Sequence, residues 1–363
     1  MKDVVRAIGV ISGTSMDAID VALIETDGER VEICGAARSY PYPEPLRSEL
    51  VEFLKRPERA ETDPLSDLET KVTDAHVAAV RQMMEACRLD RSTVGLVGMH
   101  GQTVYHRPER QFTRQLLDGA RAASALGIDV VARFRNADMA AGGQGAPLAP
   151  LYHRALSDGL ERPLIVLNLG GVANVTYISD AHTIAFDTGP ASALLDDFVR
   201  RRIGAAYDED GRLAAAGTVD EFVLAQLLDN PFFRRTPPKS LDRNDFHLFA
   251  SAVDTLDDAD GAATLSAFTV EATCRCIDHL PGRPVRWLVT GGGRHNRTFM
   301  EGFRKALGVP VEPVETVGWD GDFLEAELFG FLAVRSVKGL PLSLPSTTGV
   351  PSPISGGELF PAR

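Results

Sequence analysis

The chain has 363 residues, of which 44% are hydrophobic and 24% are charged, and its formal net charge is -12 at pH 7. This composition excludes a disordered or fibrous protein, and the length allows two domains with separate hydrophobic cores. The excess of acidic residues argues against a nucleic-acid partner, because such binding needs clustered lysine and arginine. An anionic small substrate stays compatible with this charge, since a few local cations and backbone N–H groups can hold a phosphate.

No stretch of the sequence approaches the roughly 18 apolar residues that indicate a membrane-spanning helix. The apolar run at residues 8–11 is too short for a secretory signal and is followed at once by Ser12 and Gly13. The four cysteines have neither the spacing of a zinc site nor that of a disulfide framework. We therefore expect a cytoplasmic protein that has no membrane partner.

The first half of the chain is predicted to mix strands with helices. Short apolar runs bounded by turn residues predict strands at residues 4–11, 18–25, 31–37, 94–99 and 128–132. Apolar residues between Leu65 and Cys87 recur at three- and four-residue steps, the pattern of an amphipathic helix. The three adjacent strands at the start indicate a meander, so this half should form a mixed α/β layer.

The second half repeats this order after a Gly/Pro-rich segment at residues 141–147. Strands are predicted at residues 164–169, 173–178, 183–186, 285–290 and 309–313, and helices at residues 193–203, 219–228, 262–279 and 322–337. Both halves begin with adjacent strands and then turn to helices. We therefore predict a structural duplication with a boundary near residue 130.

A polar turn, SGTSMD at residues 12–17, separates the first two predicted strands. Its backbone N–H groups and hydroxyls suit phosphate oxygens, and Asp17 or Asp20 could meet a magnesium ion directly or through water. A tight hairpin stabilised by Asx and Ser turns would use the same residues, so this segment alone leaves both interpretations open.

Familiar signatures of other chemistries are absent, including the P-loop, the Rossmann glycine pattern, the HExxH zinc motif and the GxSxG nucleophile elbow.

Asp187 follows a predicted strand and precedes a helix, where a carboxylate can accept a proton from water or cap the helix. Gly291, Gly292 and Gly293 follow another strand and could admit a nucleotide base or form a simple turn. Asn296 would serve there as a polar contact or a helix cap.

Polar residues at the end of the fourth predicted strand form another candidate site. His100, Gln102 and Thr103 offer donors and acceptors suited to sugar hydroxyls or an amide, although a histidine at a strand end is often structural. Lys239 and Arg243 could lie near a carboxylate or phosphate, with a solvated loop as the alternative.

Eight segments, taken together and in order, resemble the anhydro-N-acetylmuramic acid kinase family over nearly the whole chain. They are GVISGTSMDAIDVALIE, MHGQTVYH, AAGGQGAPLAP, NLGGVANVTYI, AFDTGPASALLDD, PPKSLDRNDF, VTGGGRHNRTFM and LPSTTGV. The resemblance implies an α/β fold with two actin-like domains (the hexokinase, Hsp70, actin and ribonuclease H-like type) flanking a central cleft, in a homodimer. The first domain would comprise residues 1–130 completed by residues 335–363, and the second residues 131–334.

The resemblance also implies roles for individual residues. Asp187 would be the catalytic base, and the Mg²⁺ that accompanies ATP could meet Asp17 and Asp20 directly or through water. The residues that contact ATP and its phosphates would be Gly13, Thr14, Ser15, Met16, Asp17, Ala18, Ile19, Asp20, Gly170, Gly171, Gly291, Gly292, Gly293 and Asn296. The residues on the sugar side would be His100, Gln102, Thr103 and Glu325.

In the family's reaction, water opens the 1,6-anhydro bridge of the amino sugar while the oxygen at position 6 takes the γ-phosphoryl group of ATP. The products are N-acetylmuramic acid 6-phosphate and ADP, in the recycling of cell wall. Three departures bear on contacts and rate: Ala18 where the pattern commonly has Gly, Ser192 where it has Asn, and Arg133 where it has Asp. One alternative is an actin-like kinase that acts on another sugar, and the other is a noncatalytic sugar sensor. The presence of Asp187 favours catalysis over sensing.

Overall fold

The computed structural model describes residues 3–13, 16–241 and 251–362. The strands are Val5–Ser12 (β1), Ala18–Thr26 (β2), Val31–Pro41 (β3), Leu96–Met99 (β4), Gln102–Arg107 (β5), Phe112–Leu116 (β6), Val130–Ala132 (β7), Leu164–Leu169 (β8), Val172–Ile178 (β9), Thr183–Pro190 (β10), Arg286–Thr290 (β11), Val311–Pro313 (β12) and Glu358–Phe360 (β13). The α-helices are Glu44–Phe53 (α1), Ser66–Ala86 (α2), Gly119–Leu126 (α3), Asn136–Ala140 (α4), Pro150–Leu156 (α5), Ser192–Ile203 (α6), Arg212–Ala215 (α7), Glu221–Leu228 (α8), Asp258–Cys274 (α9), Arg297–Leu307 (α10), Leu324–Val337 (α11) and Pro345–Thr348 (α12). Within those ranges, no helix combines the length and the apolar character needed to cross a membrane.

The chain divides into two compact units. One comprises Met1–Asp158 with Phe323–Arg363, and the other comprises Gly159–Asp322. The sequence had predicted the divisions at residues 130 and 334. The first unit includes α11 because this helix packs against β1, β2 and β4, and it includes α5 because α5 packs against α11.

The sheet of the first unit has the strand order β13-β7-β4-β1-β2-β3. Strands β1, β2 and β3 form the predicted antiparallel meander, and β1, β4 and β7 are parallel. Helix α2 buries Val72, Ala79 and Met83 in the hydrophobic core of this unit, as its apolar stripe predicted. Strands β5 and β6 form a separate two-stranded hairpin.

The sheet of the second unit has the order β10-β9-β8-β11-β12. Strands β8, β9 and β10 are antiparallel neighbours, and β8, β11 and β12 are parallel. Order and direction therefore repeat those of β3, β2, β1, β4 and β7 in the first unit. This repeated mixed sheet is the ribonuclease H-like arrangement of actin-like domains, so the predicted fold class is confirmed.

Parallel neighbouring strands bring the candidate loops together within each unit. In the first unit Val10 pairs with Met99, so the SGTSMD turn after β1 and the segment after β4 leave the same edge of the sheet. In the second unit Asn168 pairs with Thr290, so the loops after β8 and β11 are neighbours. Ligands of α/β sheets commonly bind at such strand ends.

The contact between α11 and the first sheet depends on two paired glycines, Gly9 of β1 and Gly98 of β4. A Cβ atom on Gly9 would lie 1.8 Å from the carbonyl oxygen of Ala326, and one on Gly98 would lie 2.0 Å from that of Phe329. The helix therefore approaches the sheet more closely than any side chain at these positions would allow.

We expect Gly98→Ala to lower the free energy of unfolding by about 3 kcal/mol, because the backbone of α11 must move to admit the methyl group. Gly292→Ala is the matched control, since a Cβ at that position meets no atom within 4 Å. Urea denaturation of both variants measures the difference. Equal transition midpoints would contradict the close approach of helix and sheet.

Candidate active site

A cavity of about 540 Å³ in the second unit is lined by glycines that follow β8 and β11. Its volume lies within the range of roughly 300–1,000 Å³ that is usual for small-molecule sites. Its wall includes Gly170, Gly171, Gly292, Gly293, Asn296, Ser192, Asp196, Tyr207, Asp208, Glu209, Asp210 and His295. The structure thus brings together five of the six residues of this unit that were predicted to lie near the nucleotide, and Gly291 directly precedes Gly292.

The glycines of this cavity differ in how much space a side chain would have at each position. Gly291 has φ +79°, and a Cβ there would lie 2.7 Å from the carbonyl oxygen of Leu169, so packing requires glycine at this position. By contrast, a Cβ on Gly170 or Gly171 would make ordinary contacts of 3.6 Å and 3.5 Å, and one on Gly292 would meet nothing within 4 Å. The space beside these three residues is available to a ligand that approaches the backbone.

Polar groups of the cavity wall are partly committed to helix capping. The side-chain oxygen of Asn296 accepts a hydrogen bond from the N–H of Phe299 at 3.1 Å, so Asn296 caps α10 as one of its two predicted roles. The carboxylate of Asp208 accepts from the N–H groups of Leu213 at 2.8 Å and Ala214 at 3.0 Å. The acidic wall favours ligand hydroxyls and amino groups, which donate to carboxylates, over phosphates, which carry like charge.

Asp187 lies at a bulge of β10, between register positions 187 and 189. Its Oδ2 accepts a hydrogen bond from the N–H of Leu241 at 2.8 Å, and its own N–H donates to the carbonyl of Lys239 at 3.0 Å. Helix α6 begins without a side-chain cap, so capping does not explain Asp187. Loss of hydration raises the pKa of Asp187 to about 7, although the Leu241 N–H opposes this shift. Such a carboxyl can take a proton at neutral pH.

Lys239 stabilises the segment that holds Asp187. Its Nζ donates to the carbonyl oxygen of Phe232 at 3.3 Å and lies 4.7 Å from the centre of the Phe232 ring. The side chain is buried, and burial lowers the pKa of Lys239. Lys239 is therefore not a solvated loop cation, and Arg243 lies outside the described residues.

The SGTSMD turn of the first unit closes through a hydrogen bond from the N–H of Met16 to the carbonyl oxygen of Gly13, at 3.1 Å. Met16 adopts φ 56°, and Thr14 and Ser15 lie outside the described residues. Ala18 and Ile19 begin β2, and Ile19 is a core residue, which leaves only its backbone for ligand contact.

The two candidate magnesium ligands are engaged with protein partners. The side chain of Asp17 is 68% exposed and its Oδ1 accepts from Arg47 Nη2 at 3.1 Å, while Asp20 accepts from the hydroxyl of Ser39. No group of three or more potential metal ligands occurs within the described ranges. Magnesium in proteins is usually coordinated by one or two carboxylates together with water and phosphate oxygens. The carboxylates of Asp17 and Asp20 therefore suit this ion when a phosphate ligand supplies further oxygens.

A buried hydrogen-bond network lies beneath the SGTSMD turn. The Tyr42 hydroxyl lies 2.9 Å from Ser12 Oγ and 3.2 Å from Gln102 Oε1, and Ser12 Oγ lies 3.4 Å from His76 Nε2. The amide nitrogen of Gln102 donates to the carbonyl oxygen of Gly13 at 3.3 Å. Gln102 has an exposed fraction of 0%, so the side chain predicted to face the sugar holds the backbone of the turn.

We expect Tyr42→Phe to lower the free energy of unfolding by about 1–3 kcal/mol, because it removes the hydroxyl that hydrogen-bonds with the buried Ser12 and Gln102 side chains. Tyr207→Phe is the control, since Tyr207 is 59% exposed. Thermal and urea unfolding of both variants measure the effect. A loss of stability no larger than that of the control would show that the network does not stabilise the turn.

His100 is held in one tautomer by two neighbours. Its Nδ1 donates to the carbonyl of Gly101 at 2.9 Å, which leaves Nε2 to accept from Arg135 Nε at 2.9 Å. Burial and the Arg135 guanidinium hold the pKa of His100 well below its usual value, so the ring is neutral. Arg135 also donates to the carbonyl of Gly145 at 2.7 Å. Both ring nitrogens of His100 are thus occupied.

Glu325 and Thr103 are the two residues of the predicted sugar side that are not fully buried. Glu325 lies in the first turn of α11 and is exposed as a residue, although protein surrounds its carboxyl group. Dense surrounding protein raises the pKa of its carboxyl by removing hydration, while nearby Arg135 lowers it. Thr103 is half-buried, and its hydroxyl accepts from the Gln115 amide at 3.3 Å.

A family model described as anhydro-N-acetylmuramic acid kinase matches residues 5–362. The chain belongs to this family. It is 50% identical over 360 residues to the anhydro-N-acetylmuramic acid kinase of Rhodospirillum rubrum, covering 99% of this chain and 95% of the relative. It is 52% identical over 358 residues to that of Acidiphilium cryptum, covering 98% of each protein. The anhydro-N-acetylmuramic acid kinase family predicted from the eight motifs is confirmed, and the chain is a kinase.

The chain also resembles two solved structures, at a much lower sequence identity than these relatives. One is a ROK family glucokinase from Streptomyces griseus in complex with glucose and AMPPNP, with 14% identity, a TM-score of 0.43, and coverage of 91% of this chain and 99% of that one. The other is component A of the (R)-2-hydroxyglutaryl-CoA dehydratase of Acidaminococcus fermentans, with 10% identity, a TM-score of 0.49, and coverage of 92% and 99%.

The three departures from the pattern of the anhydro-N-acetylmuramic acid kinase family have different surroundings. Arg133 pairs with Glu358 at 2.7 Å and covers the ring of Phe360, so it has partners within the first unit. Ser192 lines the glycine cavity. Ala18 is the first residue of β2.

Proposed function

We propose that this kinase transfers the γ-phosphoryl group of ATP to 1,6-anhydro-N-acetylmuramic acid and opens the anhydro ring with water. The products would be N-acetylmuramic acid 6-phosphate and ADP, which places the enzyme in the recycling of cell-wall peptidoglycan. Family membership and the names of relatives that match almost the whole chain support this substrate.

The geometry of Asp187 is the observation that carries the proposal. Asp187 is half-buried, its carboxylate accepts a hydrogen bond from the Leu241 N–H at 2.8 Å, and loss of hydration raises the pKa of that carboxyl to about 7. Asp187 would take a proton from the attacking water as the bond from the anomeric carbon to the bridging oxygen breaks. That oxygen then receives the phosphoryl group. General bases in such positions contribute about 100- to 10,000-fold to rate.

The nucleoside of ATP would occupy the glycine cavity of the second unit. Gly170, Gly171 and Gly292 leave room for a ligand beside the backbone, and Asp196 is one of the carboxylates that could accept from ribose hydroxyls. Gly13 to Asp20 would contact the phosphates through backbone N–H groups. Mg²⁺, held in part by Asp17 and Asp20, would neutralise charge on the phosphates.

On the sugar side, we propose direct contacts from Thr103 and Glu325, because neither residue is fully buried. His100 and Gln102 would serve this side indirectly. His100 accepts from Arg135, which orients the guanidinium, and Gln102 holds Gly13. Phosphoryl transfer depends mainly on such positioning and on electrostatic stabilisation.

We also propose that the enzyme is a cytoplasmic homodimer. The dimer rests on the family resemblance, and the location follows from the proposed use of ATP, which the cytoplasm supplies. Light scattering coupled to size-exclusion chromatography tests the dimer, and a monomer at micromolar concentration would contradict it.

A coupled assay of ADP release with 1,6-anhydro-N-acetylmuramic acid tests the function. We expect one ADP and one N-acetylmuramic acid 6-phosphate for each sugar consumed, identified by mass spectrometry. N-acetylglucosamine, glucose and ordinary N-acetylmuramic acid are the comparison substrates. Faster turnover with any of them would assign another sugar, and binding without turnover of any sugar would indicate a sensor.

A further inference from the structure

A buried arginine, Arg294, stands directly behind the glycine turn that follows β11. It lies within the short 3₁₀ helix Gly292–His295, and only 3% of its side chain is exposed. The cavity wall contains its neighbours Gly292, Gly293 and His295, but among the described residues that form this wall Arg294 does not appear. A ligand in the cavity would therefore not touch its guanidinium.

The guanidinium bonds in three directions. Its Nη1 donates to the carbonyl oxygen of Gly291 at 3.1 Å, an oxygen that also accepts from the Arg294 backbone N–H at 3.1 Å. Its Nε donates to Glu315 Oε1 at 2.9 Å, and its Nη2 donates to Asp322 Oδ1 at 2.8 Å. A planar guanidinium can hold three partners at once in this way, whereas an ammonium group has no such fixed fork.

The Gly291 carbonyl sets the direction of the glycine turn. Gly291 itself is confined against the end of β8, because a Cβ there would lie 2.7 Å from the carbonyl oxygen of Leu169. The next two residues, Gly292 and Gly293, line the cavity. Once both sides of Gly291 are held, little freedom remains for the backbone that faces the ligand.

The segment that supplies the two carboxylates closes tightly on the guanidinium. A Cβ on Gly321 would lie 2.7 Å from Arg294 Nε and 2.7 Å from Glu315 Oε1, so a side chain at this position would displace the guanidinium or the carboxylate from their present contact. The hydroxyl of Thr290, the last residue of β11, donates to the carbonyl of Gly321 at 3.2 Å. The end of β11, the glycine turn and the segment with Glu315 and Asp322 are thus held together around the Arg294 guanidinium.

We propose that Arg294 is a positioning residue for nucleotide binding, which holds the Gly291–Gly293 turn in the shape that receives the nucleotide without contacting it. The inference rests on the proposed function, since it takes the cavity to be the nucleotide site. It predicts that the charge and the planar fork of Arg294 affect ADP affinity and the KM for ATP, while the KM for the sugar stays the same.

The test compares Arg294→Gln and Arg294→Lys with Arg286→Gln. Arg286 is the matched control because it begins the same strand and pairs with Glu312 at 2.5 Å, away from the turn. We expect Arg294→Gln to weaken ADP binding about tenfold or more in titration calorimetry, a change of about 1.4 kcal/mol, and to raise the KM for ATP equally. Arg294→Lys should recover only part of the loss. Arg286→Gln should stay within twofold of the wild type.

Folded Arg294→Gln protein that binds ADP as the wild type does would overturn the inference. If that variant does not fold, Glu315→Gln and Asp322→Asn decide, because each removes one carboxylate and keeps the arginine. Weaker ADP binding in both supports the inference, and unchanged binding in both overturns it. A wild-type chain that binds no ADP would overturn the proposed function together with the inference, whereas wild-type binding retained by every variant overturns the inference alone.

Discussion

Asp187→Asn is expected to lower turnover by about 100-fold or more while ATP and sugar still bind, because it keeps the size of the side chain but removes its basicity. The asparagine oxygen can still accept from the N–H of Leu241, which donates to Asp187 at 2.8 Å in this structure. Local geometry should therefore survive the change. Calorimetric titration with each substrate and single-turnover measurements separate binding from chemistry.

Asp180→Asn is the matched control for Asp187→Asn. It also removes a carboxylate from the second unit, but the Asp180 side chain is 96% exposed, and its turnover should stay within twofold of the wild type. Ring opening and ADP release should fall together in Asp187→Asn, since the opened bridge provides the phosphoryl acceptor. Near-normal turnover would reject Asp187 as the base, and ADP release without opened sugar would show that the two steps are separable.

The pKa of Asp187 also predicts how activity depends on pH. A base with a pKa of about 7 loses its function as pH falls below that value, so kcat/KM should decline on the acidic side with a midpoint near 7. The free energy of unfolding depends on pH in the opposite direction. The folded state holds the proton more tightly than the unfolded chain, whose aspartate pKa is about 3.9, so ionising Asp187 destabilises the fold as pH rises through this window. Asp187→Asn should therefore gain stability relative to the wild type between these two pH values.

Most of the sheet scaffold could be predicted because its strands are short apolar runs between turn residues. Predicted strands at 164–169 and 173–178 match β8 at Leu164–Leu169 and β9 at Val172–Ile178. The hairpin of β5 and β6 was not predicted. Its strands, QTVYHR and FTRQL, are largely polar and only partly buried, so they carry little of the apolar periodicity on which the prediction depends.

The residue positions of the site were easier to predict than their contacts. Motifs place Asp187 and the glycines at strand ends, and parallel strands then bring the glycines together. The hydrogen bond from Gln102 to Gly13 joins residues 89 apart in sequence, and that from Arg294 to Asp322 joins residues 28 apart. Neither contact follows from the local sequence pattern, so neither was predicted. The supporting roles of Arg135, Tyr42 and Leu241 were missed for the same reason.

Gly292→Phe is expected to weaken ADP binding and raise the KM for ATP by about 100-fold, equivalent to about 2.7 kcal/mol. Gly292 lines the cavity of about 540 Å³, and a Cβ there meets no protein atom within 4 Å. A benzyl group can therefore enter the ligand space without first displacing protein. The loss of affinity would come from competition for space with the nucleotide, so the KM for the sugar should change less than twofold.

Gly292→Ala separates blockage of the cavity from a general effect of replacing this glycine. One methyl group occupies little of the cavity, so ADP affinity should fall less than fivefold, by under about 1 kcal/mol. Gly292→Ala should unfold at nearly the wild-type temperature, because a Cβ at this position meets no atom within 4 Å. Calorimetric titration with ADP gives the affinities directly, independent of turnover. If Gly292→Phe is folded and binds ADP as tightly as Gly292→Ala does, the nucleotide does not occupy this cavity, and its binding site must be sought in another part of the chain.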